Sequence, residues 1–164
     1  MTSTICFEPL AAEHARAVMD IFNYYVENSF AAFAEERLPD SFFEKMLEKT
    51  KGFPAYVMKD DQAVTGFCYL SAYHPFPTFR ETVKISYFIA AEHMGQGIGK
   101  MALDRLETDA RALGIRTILA EITSENEASL RFHRKNGFGV CGVLERVGYK
   151  QGKYFDVVIM QKRL

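Results

Sequence analysis

The stretch HMGQGIGKMALDRL, residues 93–106, places three glycines within five residues and runs directly into a helical pattern. The run before it, TVKISYFIA (Thr82–Ala90), is rich in β-branched and aromatic residues and predicts a strand. The helical pattern predicts a helix that ends at Gly114, with one apolar face formed by Ile98, Ala102, Leu106, Ala110 and Leu113. A strand, a glycine turn and a helix start form an anion site, because unpaired N–H groups and the helix dipole point at one place.

The residues of the turn exclude one phosphate-binding class and weaken another. A Walker A loop needs glycine where Met94 stands, and serine or threonine where Met101 stands. A dinucleotide fingerprint that starts at Gly95 needs glycine or alanine in place of Lys100. Lys100 in the first helical turn also opposes the dipole, and a bound anion would remove that conflict. Glycines that merely shape a tight turn remain the alternative.

Upstream of the turn, the sequence predicts a strand, two helices and a β-hairpin. The strand is STICFEPL (Ser3–Leu10), and a helix follows around residues 18–25. The segment PDSFFEKMLEK predicts a second, short helix that begins at Asp40 or Ser41, with Ser41 and Glu44 as a capping box. Two β-rich runs separated by residues 59–62 predict the hairpin.

Downstream, the sequence predicts a strand, a short helix and two closing strands. IRTILAEI is the strand, and the helix runs from about Glu125 to Asn136 and closes at Gly137. GVCGVLERVGY and YFDVVIMQK complete the order β-α-α-β-β-β-α-β-α-β-β. This order predicts one domain over residues 1–164, of the α/β (α+β) class, around a mixed sheet.

Composition restricts the classes of partner. The net charge is -1, with 48% hydrophobic and 25% charged residues, so we expect no nucleic-acid partner. Cys6, Cys68 and Cys141 are far apart and lack a CxxC or Cys/His pattern, so we expect three buried thiols and no metal site. We expect no signal peptide and no membrane partner, which makes the cytoplasm the predicted location.

A second group of polar residues lies in TSENEASLRFHRKNGF, residues 123–138. Ser124 and Glu127 have the spacing of a capping box. Asn126, Ser129 and His133 stand three and four positions apart, so they share one face of the helix. On local grounds alone, Asn126 could equally be a capping residue and His133 a partly buried helix histidine.

The sequence resembles the GNAT superfamily of acyl-CoA N-acyltransferases. GQGIGK resembles its pyrophosphate loop, and NEASLRFHRKNGF, about thirty residues further on, resembles its second motif. FNYYVENS, FRETVKIS and VGYKQGKYFDVVIMQ are similar to the branch that includes phosphinothricin and methionine-sulfone acetyltransferases. Three residues depart from that branch: Met94 replaces the usual Arg or Gln, Lys84 the usual glutamate, and Tyr154 a tryptophan.

The resemblance implies a GNAT fold with a mostly antiparallel sheet, splayed between strands at Lys84–Ala90 and Thr117–Thr123. It implies acetyl-CoA as co-substrate, with the pantetheine arm between those strands, no metal, and a homodimer. By residue, it implies cofactor contacts at Tyr87, Phe88, Ile89, Gly95, Gln96, Gly97, Ile98, Gly99, Lys100, Asn126, Ser129 and His133. The thioester carbonyl would accept a hydrogen bond from a backbone N–H of the Lys84–Ala90 strand.

The implied reaction is direct attack of an amine on acetyl-CoA, which needs a neutral amine. Deprotonating an α-amino group at pH 7 costs about 1.4 kcal/mol and a lysine amine about 4.6, so an amino acid is the favoured acceptor. The base candidates are Glu121 and Glu81, although Glu81 is expected on the opposite sheet face from Lys84. His133 is the acid candidate, as an imidazolium that protonates the thiolate.

Residues that bind the acceptor amine are expected along the strand that leads to the glycine turn and in aromatic loops. Arg80 and Lys84 could pair with a substrate carboxylate. Phe33 and Phe79 are candidate pocket walls, with core packing or a subunit contact as the alternative for each. Two other functions stay open: a non-catalytic acyl-CoA sensor, favoured by Lys84, and an acetyltransferase for protein N-termini or lysines.

Overall fold

Strands and helices follow each other in the predicted order in a computed structural model that describes residues 4–164. Ser3, at the start of the predicted first strand, lies outside the described residues. The strands are β1 (Ile5–Pro9), β2 (Ala55–Asp60), β3 (Ala63–Ala72), β4 (Thr82–Ile89), β5 (Thr117–Thr123), β6 (Gly139–Lys150) and β7 (Lys153–Arg163). The helices are α1 (Ala15–Asn28), α2 (Phe42–Lys49), α3 (Ile98–Ala112) and α4 (Glu127–Lys135).

All seven strands belong to one sheet, in the order β1-β2-β3-β4-β5-β7-β6. Every neighbouring pair is antiparallel except β4 and β5, which are parallel. These two strands pair only over Thr82–Lys84 and Thr117–Leu119, although β4 continues to Ile89 and β5 to Thr123. The strands therefore diverge after Lys84, which confirms the splayed pair that the family resemblance implied.

Two apolar cores cover the sheet unequally. Helices α3 and α4 pack on one face, over side chains from β2 to β5 and β7. Helices α1 and α2 pack on the other face, and their core includes side chains from β2, β3 and β4 but none from β5, β6 or β7 within residues 4–164. Residues 65–71 of β3 are all buried because helices cover both faces there. The second face therefore lies open beyond β4.

Strand β6 has the opposite character. It is an edge strand, and every residue from 139 to 149 is exposed or only partly buried. Its pairing with β7 shifts between Leu144 and Gly148, where Arg146 adopts a left-handed φ of 53°. The Arg146 N–H donates to the Asp156 carboxylate (2.8 Å), which holds this bulge in place.

Several local expectations are wrong. Cys68 is buried, but Cys6 and Cys141 are exposed because they lie on the two edge strands. Leu113 is exposed just after the end of α3. Ser41 precedes α2 without a side-chain capping bond, so the predicted capping box does not form there.

Among residues 4–164, no helix combines the length and apolarity needed to cross a membrane.

Candidate active site

The gap between β4 and β5 exposes strand backbone that has no sheet partner. The Ala90 N–H donates to Thr65 O on β3 (2.8 Å). Because consecutive residues of a strand turn their N–H and C=O groups to opposite sides, Phe88 also faces β3, whereas Tyr87 and Ile89 face the gap. Of the three predicted backbone contacts, Tyr87 and Ile89 are therefore placed to meet a ligand in the gap, and Phe88 is not.

The glycine turn lies at the end of β4 and leads into α3. Gly95 and Gly97 have φ values of +79° and +81°, and a Cβ at either position would meet no atom within 4 Å. Glycine is needed here for its left-handed conformation rather than for space. Gly97 precedes the first turn of α3, so the N–H groups of Ile98, Gly99 and Lys100 lack partners within the helix. The geometry is that of an anion site.

The side chains around the turn provide few groups that could bind an anion. The Lys100 ammonium contacts the Asp104 carboxylate one helical turn along, which offsets its conflict with the dipole. The Gln96 amide donates to Glu92 O (3.3 Å). Met94 is 56% exposed and extended. Backbone groups are therefore the main binding groups of this turn.

Helix α4 begins beside the gap at the end of β5. Its N-cap is Asn126, whose side-chain oxygen accepts from the Ser129 N–H (3.2 Å). Ser124 does not cap the helix as predicted; its hydroxyl accepts from the Asp156 N–H on β7 (3.1 Å). Asn126 is thus held at the mouth of the gap by its capping bond.

His133, which is buried, and Tyr87, which is partly buried, form a pair between α4 and β4. The Nδ1–H of His133 donates to Ser129 O (2.7 Å), and the Tyr87 hydroxyl donates to Nε2 (2.5 Å). Burial lowers the pKa of His133 below 6.5 and raises the pKa of Tyr87 above its ordinary value. Both groups are therefore neutral at pH 7, and His133 is not the resting imidazolium that the sequence suggested.

Lys84 and Glu121 lie side by side on the open face of the sheet, where β4 and β5 diverge. Their Nζ and Oε1 atoms are 3.9 Å apart, and the side chains are 39% and 41% exposed. Ile159 of β7 lies directly opposite Glu121, and Val157 opposite Thr123. Thr123 is buried, whereas Val157 and Ile159 are partly exposed. We call the surface formed by Lys84, Glu121, Val157 and Ile159 the open floor.

The other predicted acceptor residues lie away from the open floor or at its ends. Glu81 faces Arg116 (3.4 Å), so the structure does not bring it to Lys84. The Arg80 guanidinium donates to Pro77 O (3.2 Å) in the loop before β4. Phe79 packs on Tyr73 and His74 in the same loop. Phe33, 48% exposed, stacks on Phe155 of β7 with ring centroids 6.1 Å apart.

Sequence reasoning missed two polar side chains near the site. The Tyr25 hydroxyl of α1 donates to Ile89 O (2.5 Å), so one carbonyl of the gap already has a partner. The family resemblance implies a role only for the backbone of Tyr87, so it does not indicate the hydroxyl. Both contacts join residues at least 46 positions apart, which no local pattern indicates. Within residues 4–164, no cluster of His, Cys, Asp and Glu could hold a metal ion.

The sequence matches a known family and named relatives. The model of the "Acetyltransferase (GNAT) family" matches residues 18–138. L-methionine sulfoximine/L-methionine sulfone acetyltransferase of Salmonella typhimurium is 33% identical over 153 residues, covering 90% of this chain and 88% of the relative.

Two solved structures extend the match to the fold. A phosphinothricin acetyltransferase from Sinorhizobium meliloti, in complex with AcCoA, superposes with a TM-score of 0.91 and 29% identity, covering 100% of this chain and 89% of the other. Ribosomal-protein-alanine N-acetyltransferase from Brucella melitensis gives 0.90 and 32%, covering 97% and 99%. Because these matches span most of each chain, the protein belongs to the GNAT family of acetyltransferases.

Proposed function

We propose that this protein transfers the acetyl group of acetyl-CoA to the α-amino group of a small amino acid or an amino-acid-like compound such as phosphinothricin or methionine sulfone. The observation that carries the proposal is the pair of opposite charges, Lys84 and Glu121, on the open floor. An α-amino acid carries its carboxylate and its amine on the same carbon atom, so it matches one cation and one anion side by side. The Salmonella relative is named for acceptors of this class.

The cofactor would be bound in the gap and at its other end, where β4 leads into α3. The N–H groups from Gly95 to Lys100 would hold the pyrophosphate at the start of α3. The pantetheine arm would lie along the backbone of Tyr87 and Ile89 and meet Asn126. An N–H that β4 turns to the gap would polarise the thioester carbonyl.

Glu121 is the residue that we assign as general base. The amine nitrogen attacks the thioester carbon, its proton passes to the Glu121 carboxylate, and the carbon–sulfur bond breaks to release a thiolate. An α-amine needs only about 1.4 kcal/mol to be deprotonated at pH 7, so a carboxylate on a half-exposed surface is sufficient. Lys84 would hold the substrate carboxylate.

His133 is the residue that we assign as acid, in a modified form. A histidine with an ordinary pKa needs about 0.7 kcal/mol to be protonated at pH 7, and burial adds to that cost. His133 must therefore take up a proton at Nε2, and lose its bond from Tyr87, before it can protonate the thiolate.

A second candidate acceptor is the α-amino group of a protein. It is favoured by the likeness to the Brucella structure, which is named for alanine of a ribosomal protein. We would compare CoA release with methionine sulfone, phosphinothricin, free alanine, an alanine-initiated peptide and Nα-blocked lysine. We expect free amino acids to be turned over fastest. Faster turnover of the peptide would make a protein N-terminus the preferred acceptor. Faster turnover of blocked lysine would make a lysine side chain, rather than an α-amine, the preferred acceptor.

We also propose a homodimer in the cytoplasm. The exposed large hydrophobic residues concentrate on the β6–β7 hairpin, at Val140, Val143, Leu144, Val147, Tyr149 and Tyr154. Such a patch on an edge strand is typical of an interface. The three free cysteines are compatible with a reducing compartment. Light scattering should give a dimer that Leu144→Glu disrupts; a monomeric wild type would contradict the proposal.

A further inference from the structure

A buried lysine connects the end of β6 to the loop between α1 and α2. Lys150 is 1% exposed, and its Nζ donates to Ser29 O (2.7 Å) and Ala32 O (2.8 Å). Burying an ammonium group is unfavourable unless hydrogen bonds compensate for lost water. Two carbonyls more than a hundred residues away in sequence provide that compensation, so the loop and the hairpin are held as one unit.

Further bonds hold the same loop at its other positions. The Gln151 N–H, next to Lys150, donates to the Glu35 carboxylate (3.2 Å). The Asn23 amide of α1 both donates to Leu38 O (2.8 Å) and accepts from the Leu38 N–H (2.9 Å). The loop is thus fixed to α1 at its far end and to the hairpin at its near end.

The loop carries two aromatic rings to the open floor. Phe30 and Phe33 pack on Phe155, with ring centroids 5.7 and 6.1 Å apart. Phe155 is two residues from Val157, so it lies on the same face of β7 as the open floor. A Cβ at Gly148 would come within 2.1 Å of the Phe155 ring, so glycine at this position makes room for the ring.

We propose that Lys150 is a positioning residue for the acceptor: by holding Ser29 and Ala32, it fixes the aromatic wall of Phe30, Phe33 and Phe155 beside the open floor. This inference rests on the proposed function, since it takes the open floor as the acceptor site. Lys150 itself touches neither substrate. Its loss changes the shape of the acceptor site and leaves the glycine turn intact, because the Lys150 contacts are to Ser29 and Ala32 and not to that turn.

The test compares Lys150→Met with Lys51→Met, which removes a lysine that is 71% exposed and paired with Glu48. For Lys150→Met we expect the KM of the acceptor to rise about 10-fold and the KM of acetyl-CoA to stay within about twofold. We also expect faster trypsin cleavage after Arg37, in the same loop, measured by mass spectrometry on the substrate-free protein. Lys51→Met should match the wild type in all three.

A folded Lys150→Met with wild-type acceptor KM, or with an equal loss of acetyl-CoA affinity, would overturn the proposal. If that variant does not fold, Glu35→Ala decides, because it loosens the same loop without leaving a buried cavity. For Glu35→Ala we expect the KM of the acceptor to rise about threefold or more, and an unchanged KM would overturn the proposal. If the wild type turns over no amine, the proposed function fails and the acceptor role with it, while the trypsin rates still show whether Lys150 holds the loop.

Discussion

On the side of the site that would bind the cofactor, where β4 leads into α3, the groups that face a ligand are backbone N–H groups of a glycine turn and a strand edge. On the side that would bind the acceptor, where β4 and β5 diverge, they are the charged side chains of Lys84 and Glu121. Backbone groups recognise an anion whatever side chains surround them, whereas side chains must be chosen for each acceptor. The comparison implies that substitutions on the two sides should separate cofactor binding from acceptor turnover.

The largest effect should come from Glu121→Gln. Removing the proposed base should lower kcat/KM for the acceptor about 100-fold and leave the Kd of acetyl-CoA unchanged. Glu81→Gln is the matched control, since Glu81 pairs with Arg116 on the same two chain segments but away from the open floor. Steady-state kinetics on both variants checks this, and an equal loss in Glu81→Gln would return Glu81 to the site.

A smaller effect is expected for Gly97→Val. Valine at a φ of +81° costs about 1–2 kcal/mol, so the turn must shift and acetyl-CoA should bind about 10-fold more weakly. Gly52 has the same φ and equally open surroundings, and it lies outside the turn. Gly52→Val should therefore lose similar stability and keep the wild-type Kd by calorimetry. Equal losses of affinity in both variants would remove the turn from the cofactor site.

The pH dependence of stability should report the state of His133. Its pKa is lowered in the folded state by burial, so its contribution is complete above the unfolded value of 6.5 and is lost as the pH falls below that value. Denaturant unfolding at about pH 7 and about pH 5 should show a smaller decline in Tyr87→Phe/His133→Phe than in the wild type. An unchanged decline would mean that His133 is not buried as a neutral ring.

The smallest effect is expected for Met94→Ala. Met94 is exposed, and backbone groups are the proposed ligands of the pyrophosphate, so the Kd of acetyl-CoA should change less than about twofold. A loss as large as that of Gly97→Val would show that side chains, rather than backbone, dominate the cofactor side.

The conformation of the glycine turn and the polar face of α4, which would form the cofactor side, follow from local sequence. Glycines at Gly95 and Gly97 satisfy a local conformational need, and the spacing of Asn126, Ser129 and His133 places them on one helix face whatever surrounds it. The order of strands and helices follows from local periodicity in the same way.

The remaining features depend on tertiary contacts. Lys84 meets Glu121 only because β4 and β5 pair in parallel at one register, and Lys150 finds its carbonyls only after the hairpin folds onto the loop. The cysteine prediction was wrong for a related reason: a residue type's tendency to be buried does not say whether its strand lies at an edge of the sheet.

Whether the protein acetylates a free α-amine with acetyl-CoA can be decided by measuring acetyl-CoA binding and CoA release on the same preparation. Calorimetry should show binding, and a thiol-reactive dye should show CoA released only when a free amino acid is present. Binding of acetyl-CoA with no CoA release across a panel of amino acids would contradict the account and favour a non-catalytic acyl-CoA sensor.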